Sequence, residues 1–299
     1  MKAKIFTPTV SIFDENEKLD FEGNARVWDY LIKHGIDGLL LFGSTGEFSA
    51  FSLEDRKKLA SYCVTKVAGR VPVKIGVTSM LFGETLEMLK YVHELGAKAV
   101  ALMPYYFGAN DQNIFDFYDT LAKNTKGDIY IYNYPGRTTC DVNANVLLKL
   151  VDANKNIKGI KDTVLNVSHT KDLIKTVLPK HPHFEIYSGF DDHFIDNVCA
   201  GGSGCISGLS NIAPDIWSGF VKAINDKDLT QLSKYAKAIN KLMEIYALDT
   251  NFSLIFKKLM NLDGLDISER AIFPYNSLKS GLYEKACEIL KDARKIAKN

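Results

Sequence analysis

Apolar and polar positions follow two alternating rhythms along this chain. Short apolar, β-branched or tyrosine-rich runs read as strands: residues 4–10 (KIFTPTV), 37–43 (DGLLLFG) and 128–135 (DIYIYNYP). The longer stretches between such runs repeat apolar residues every three or four positions. In residues 21–35, Phe21, Ala25, Trp28, Leu31 and Ile32 fall on one helical face, and Gly35 supplies a stop. Ser52 is placed to cap the next helix, which carries Leu53, Leu59, Tyr62, Cys63 and Val67 on one side. The unit then recurs, with strands expected at 71–77, 97–106, 128–135, 157–163, 184–189 and 203–208, each followed by a helical pattern.

Eight strand–helix units in about 225 residues predict parallel strands joined by right-handed crossovers and closed into a (β/α)8 TIM barrel. An open doubly wound sheet would want a phosphate-binding glycine motif after its first strand. The segment there, TPTVSIF, is not one. The cluster GGSGCISG (201–208) lacks the G-x-G-x-x-G spacing and closes a helix instead of opening one. Helical patterns also fill 228–248, 251–264 and 283–299. The expected organisation is a catalytic barrel over 1–225 and a C-terminal helical domain over 226–299.

Composition narrows the partners. With 46% apolar residues a large core is available, and 37 basic against 36 acidic residues leave a net charge of +1. Neither nucleic acid nor a membrane surface is an expected partner. No apolar run nears the roughly 18 residues of a membrane span, and charge and proline interrupt the N-terminus before a signal-peptide core forms. The five cysteines (Cys63, Cys140, Cys199, Cys205, Cys287) form no C-x-x-C pair and read as reduced thiols of a cytoplasmic protein.

In a barrel of this type the reactive groups gather at the C-terminal ends of the strands. The segments expected there are GSTGEF (43–48), MPYYF (103–107), YNYPGRT (132–138), Lys161 at the end of GIKD, SGFDD (188–192) and SGLSN (207–211). They are small, hydroxylated, tyrosine-bearing or charged, whereas the opposite rim collects ordinary turns. Gly43 and Gly46 allow the backbone to bend so that N–H groups near Ser44 and Thr45, with two hydroxyls, face an anion; a hydroxyl-capped turn is the plain alternative. Tyr132 stands where it can pass protons beside the strand of Lys161; a half-buried packing tyrosine is its alternative, and Tyr106 shares both readings. Lys161 is either a solvated strand end or a nucleophile. Amine chemistry needs the neutral form, which an unperturbed lysine adopts in roughly one molecule in 2,500 at pH 7; burial enlarges that fraction. A neutral amine condenses with a ketone to an iminium, which serves as an electron sink without metal or organic cofactor.

These residues resemble the pyruvate-dependent class I aldolases and lyases, the family of dihydrodipicolinate synthase, N-acetylneuraminate lyase and the 2-keto-3-deoxy-sugar-acid aldolases. The resemblance covers essentially the whole chain. GSTGE is similar to the family's pyruvate-carboxylate loop, which implies that role for Ser44 and Thr45. YNYP is similar to its tyrosine motif, which implies Tyr132 as the proton relay, and GIKD to its Schiff-base strand, which implies Lys161 as the nucleophile. YNYP and KDTVLNVSHT look most like the 2-keto-3-deoxygluconate aldolase branch. Arg137 is similar to the arginine with which the synthase holds its aldehyde's carboxylate, and Tyr106 to the tyrosine that the synthase borrows from a neighbouring subunit. GVTSM lacks the asparagine usual in the synthase, and SGFDD is closer to the sialic-acid lyase pattern.

The expected function is therefore a cofactor-free, reversible aldol reaction between pyruvate and an aldehyde, with a 2-keto-3-deoxy sugar acid as the product cleaved. The alternatives are a dihydrodipicolinate-type synthase using aspartate semialdehyde, an N-acetylneuraminate lyase, and a non-catalytic pyruvate-binding regulator. Arg137, Tyr106, Ser207 and the Gly189–Asp191 loop are the candidates for recognising the second substrate. The resemblance implies a homo-oligomer, tetramer or dimer. A metal-dependent reading finds only one acid–histidine cluster in the sequence, DDHF (191–194), which is expected to cap a helix.

Overall fold

Eight parallel strands close into a barrel in the order β1-β2-β3-β4-β5-β6-β7-β8. The computed structural model describes residues 2–104 and 107–299. The strands are β1 (Lys4–Pro8), β2 (Gly38–Leu41), β3 (Val73–Gly76), β4 (Lys98–Leu102), β5 (Ile129–Asn133), β6 (Ile157–Asp162), β7 (Glu185–Ser188) and β8 (Gly204–Ile206). Between them run α1 (Phe21–Lys33), α2 (Leu53–Val67), α3 (Phe82–Glu94), α4 (Asp111–Lys123), the single turn α5 (Pro135–Thr138), α6 (Ala144–Ala153), α7 (Val167–Val177) and α8 (Phe194–Cys199). After β8 come α9 (Pro214–Asp226), α10 (Leu229–Leu242), α11 (Phe252–Asn261) and α12 (Leu282–Lys298). The expected (β/α)8 fold with C-terminal helices is the fold found.

Local chemistry sets the helix starts. Ser52 accepts a hydrogen bond from the Asp55 N–H, Asp20 from Gly23, Asn143 from Asn145 and Val146, and Asp228 from Gln231. Each occupies one of the orphan donors of a first helical turn. Each strand is shorter than the apolar run that encodes it, and at two of them a proline follows the early end. The 128–135 run leaves the sheet at Asn133, because Pro135 has no N–H for the ladder and its fixed φ suits the first turn of α5. The 97–106 run leaves the sheet at Leu102, ahead of Pro104.

Contacts group the chain into two compact units. One holds residues up to Lys4 and Val73–Ile206; the other holds Ile5–Pro72 and Ser207–Asn299. In the first unit the strand faces toward the helices are apolar, as with the buried Ile129 and Ile131 and the buried Leu147 and Leu150 of α6. The barrel interior at the N-terminal ends of the strands is polar instead. Lys74 is only 1% exposed, with Nζ 4.0 Å from the Tyr130 ring centroid, 5.2 Å from that of Tyr187 and 3.8 Å from Glu185. Tyr130 donates to Glu185 at 2.6 Å. Burial pulls the Lys74 ammonium down to about 7 despite Glu185. These side chains come from the alternate strands β3, β5 and β7, as a barrel layer requires.

Candidate active site

The register of three strands assembles the reactive end. Tyr132 pairs with Lys161 and Asn133 with Asp162 across β5 and β6; Lys161 pairs with Tyr187 and Asp162 with Ser188 across β6 and β7. Side chains alternate faces along a strand, so Tyr132 and Lys161 share one face and Asn133 and Asp162 the other. Lys161 is 5% exposed and Tyr132 6% exposed. The lysine Nζ sits over the Tyr132 ring, 4.4 Å from its centroid, and that ring stacks on Tyr134 at 5.9 Å.

Thr163 belongs to the same end and was not singled out in the sequence. Its hydroxyl is buried with no hydrogen-bond partner among the described residues. A Cβ placed on Gly189 would lie 1.8 Å from Thr163 Oγ1 and 3.2 Å from Lys161 Cε. Only a glycine fits there, and its bareness lets the threonine hydroxyl and the lysine stem share one space. A buried hydroxyl without a partner carries a desolvation cost, so it marks a place where a ligand oxygen can complete the bonding. The only sequence signal was a hydroxyl residue two positions after the lysine.

Behind the lysine lies a polar network joining β5, β6, α7 and residue 141. Asn133 Nδ2 donates to Asp162 and to Asp141, each at 2.9 Å, and its oxygen accepts from the Val142 N–H. Thr170 donates to Asp162 at 2.6 Å, and His169 Nδ1 lies 3.0 Å from the same carboxylate. His169 Nε2 lies 3.2 Å from Asp141, within ion-pair range though not aligned as a hydrogen bond. Burial alone would lower the His169 imidazolium, but Asp141 and Asp162 outweigh it and push it up to about 10. His169 in turn holds Asp141 below the usual carboxylate range. The acid–histidine grouping of consequence is therefore this one, built from three separated segments, and the pairing of neighbours in DDHF did not reveal it. Its two carboxylates meet different nitrogens of the one imidazole ring and are bridged by the Asn133 amide. Among the described residues, no group of three or more His, Cys, Asp or Glu side chains could hold a metal ion.

The other predicted residues fall as follows. Ser44 is half-buried and Thr45 is 5% exposed, on the turn after β2. The backbone bonds of that turn run from Gly46 N to Gly43 O and from Glu47 N to Ser44 O, which keeps the Ser44 and Thr45 N–H groups out of them. Arg137 lies on α5, exposed, and makes no ion pair among the described residues. Asp191 is buried in a tight helical turn at Asp191–His193. Ser207 is wholly buried, its oxygen accepting from the Ser210 N–H. Tyr106 lies outside the described residues.

The chain has similar relatives in sequence and fold. Residues 1–293 match the dihydrodipicolinate synthetase family. YagE of Escherichia coli K12, provisionally named as a 2-dehydro-3-deoxy-D-gluconate aldolase, is 34% identical over 92% of this chain and 91% of its own. YjhH of the same organism, provisionally named as a 2-dehydro-3-deoxy-D-pentonate aldolase, is 35% identical over 90% of each chain. A 4-hydroxy-tetrahydrodipicolinate synthase of Kosmotoga olearia is 33% identical over 81% of this chain and 82% of its own. The crystal structure of YagE in complex with pyruvate superposes with a TM-score of 0.94 at 33% identity, covering 98% of both chains. The chain belongs to the dihydrodipicolinate synthetase family. Within it, the relatives bear the names of aldolases as well as of synthases, and this chain is an enzyme of that lyase class.

Proposed function

We propose that this enzyme condenses pyruvate with Lys161 and carries out a reversible aldol reaction of a 2-dehydro-3-deoxy sugar acid. The observation that carries the reading is the buried Lys161 amine in register with Tyr132 at the C-terminal ends of β6 and β5. The neutral amine adds to the C2 ketone, and loss of water leaves an iminium. In the cleavage direction the C4 hydroxyl of the substrate loses its proton, the C3–C4 bond breaks, and its electron pair moves into the iminium to give an enamine. An aldehyde leaves. Protonation of the enamine carbon and addition of water then release pyruvate and the free lysine. Tyr132 carries the protons between substrate oxygen and solvent-shielded carbon. Ser44 and Thr45 receive the pyruvate carboxylate through N–H and hydroxyl donors.

The Thr163 hydroxyl favours a polyhydroxylated partner, since it offers a buried donor to a sugar-acid oxygen. The names of YagE and YjhH agree with this. A second reading, condensation with aspartate semialdehyde, is favoured by one observation: the exposed Arg137 guanidinium, suited to bidentate contact with a carboxylate. In either case the enzyme is taken as a cytoplasmic homo-oligomer, in keeping with the family resemblance and with free thiols at all five cysteines. The test is a paired assay: cleavage of 2-dehydro-3-deoxygluconate and 2-dehydro-3-deoxypentonate against condensation of pyruvate with aspartate semialdehyde. Cleavage at the higher kcat/KM supports the aldolase; clear preference for the semialdehyde overturns it.

A further inference from the structure

The loop that receives the carboxylate is held from outside the barrel strands, and the grip is selective. Its acceptors are occupied one after another. The Gly43 and Ser44 carbonyls take the loop's own N–H groups. The Thr45 carbonyl accepts from Ser253 Oγ at 2.8 Å, and the Gly46 carbonyl from Ser11 Oγ at 2.8 Å. The Glu47 carboxylate accepts from Lys257 Nζ at 2.5 Å through one oxygen and from the Ile272 N–H at 3.3 Å through the other. None of these anchors uses a hydroxyl or N–H of Ser44 or Thr45. The donors stay out of these bonds, while the carbonyl acceptors that would repel an anion are tied down.

Two of the anchors sit on α11. Ser253 and Lys257 are one helical turn apart and so share a face, matched to Thr45 and Glu47 two residues apart on the loop. Lys257 is 0% exposed. Its ammonium also meets the Arg270 carbonyl at 2.7 Å and lies 4.8 Å from the Phe13 ring centroid. The loop needs such restraint. Phe42 and Glu47 flank it with φ of 56° and 52°, left-handed backbone that residues with a Cβ avoid. A Cβ on Gly46 would come within 2.9 Å of the Thr9 carbonyl. Strain of this kind persists only where the surroundings over-determine it.

We propose that α11 is a positioning element of the active site: Ser253 and Lys257 hold the Ser44–Thr45 loop in the backbone form that presents only donors to the pyruvate carboxylate. The ligand in this statement rests on the function proposed above; the restraint of the loop does not. It gives the C-terminal helical segment a role in substrate binding, 208 and 210 residues along the chain from the loop it serves.

The variants are Ser253→Ala, Ser253→Thr and the charge-free pair Lys257→Met with Glu47→Gln, which leaves no buried charge unpaired. Amide hydrogen exchange over residues 43–47 in the ligand-free protein reads the restraint. The pyruvate concentration that half-saturates borohydride trapping of Lys161 reads its consequence. Ser253→Ala is expected to speed exchange over 43–47 and to raise half-saturating pyruvate, each by about 3- to 10-fold, the worth of one hydrogen bond. The trapped yield at saturation stays as in the wild type, Ser253→Thr restores both readouts, and the charge-free pair shifts both further. A folded Ser253→Ala with lowered melting temperature but unchanged half-saturation makes α11 a mere brace and overturns the proposal; so does unchanged exchange. Should the charge-free pair fail to fold, Ser253→Ala decides alone. A wild-type enzyme that pyruvate and borohydride never label would count against the Schiff-base function, and the exchange measurement would still decide whether α11 sets the loop.

Discussion

Tyr132 and Lys161 are direct register partners on neighbouring strands, and the lysine Nζ rides over the face of the tyrosine ring at 4.4 Å. Register is what makes this pair. Slipping β6 by one residue would turn Lys161 to the helix side and bring Asp162 into the barrel. The network on the other face, Asn133 to Asp162 and Asp162 to Thr170 and His169, fixes that register through contacts that a slip would break.

If the ring face supports the amine and the hydroxyl moves protons, as proposed, the two contributions of Tyr132 separate. Tyr132→Phe keeps the ring. It should retain pyruvate trapping on Lys161 and lose turnover by roughly 10²–10⁴, the usual worth of a positioned acid–base group. Steady-state kinetics beside a trapping assay checks this, and normal turnover would reduce Tyr132 to packing.

Thr163 gives the opposite signature in stability and activity. Its hydroxyl has no partner among the described residues, so Thr163→Val should leave the melting temperature unchanged or higher. If the hydroxyl serves the substrate, kcat/KM for the sugar acid falls by about 3- to 10-fold. A variant that loses stability and keeps its kcat/KM would contradict this placement.

Arg137 separates the two substrate classes. With aspartate semialdehyde as substrate, Arg137→Ala should cost about 10- to 150-fold in kcat/KM, the scale of a hydrogen bond to a charged group. With an unphosphorylated sugar acid, the exposed guanidinium has no second carboxylate to grip, and the change should stay within about threefold.

His169 makes stability depend on pH in a definite sense. Its folded pKa is raised to about 10 from an ordinary 6.5. The stabilisation is therefore complete below pH 6.5 and is lost as pH rises through 10. His169→Gln should cost about 2–4 kcal/mol at pH 6, allowing for solvent at the half-exposed Asp141, and progressively less toward pH 10. Denaturant unfolding at both pH values measures it; a cost that grows with pH would show that the imidazole is neutral in the folded protein.

The barrel was legible because eight short apolar runs alternate with amphipathic stretches, and that period survives whatever the loops do. Lys161 by itself reads as a solvated strand end; the hydroxylated and tyrosine-bearing segments expected at the same rim, and the resemblance to the family, are what single it out as the expected nucleophile. The partners that condition it were not legible. His169, Asp141 and Asn133 look like unrelated polar residues until the β5–β6 register brings them together, and Thr163 is distinguished only by the lack of a partner among the described residues. Lys257 lies in an amphipathic helix where a lysine is ordinarily solvated; nothing in the sequence near it points to Glu47. The strand ends at Asn133 and Leu102 were overrun because apolar content continued past the point where proline ends the ladder.

The chain holds a competing amine, which sharpens the central test. Lys74, whose ammonium is pulled down to about 7 by burial, is enclosed at the opposite end of the barrel by Tyr130, Tyr187 and Glu185. Incubation with pyruvate and borohydride, followed by peptide mass mapping, tells the two apart. One reduced pyruvyl adduct is expected on the peptide bearing Lys161, none on that bearing Lys74, and neither adduct nor turnover in Lys161→Arg, whose guanidinium does not deprotonate. Labelling at Lys74 or elsewhere, or an unlabelled enzyme that still turns over, would contradict the assignment of Lys161.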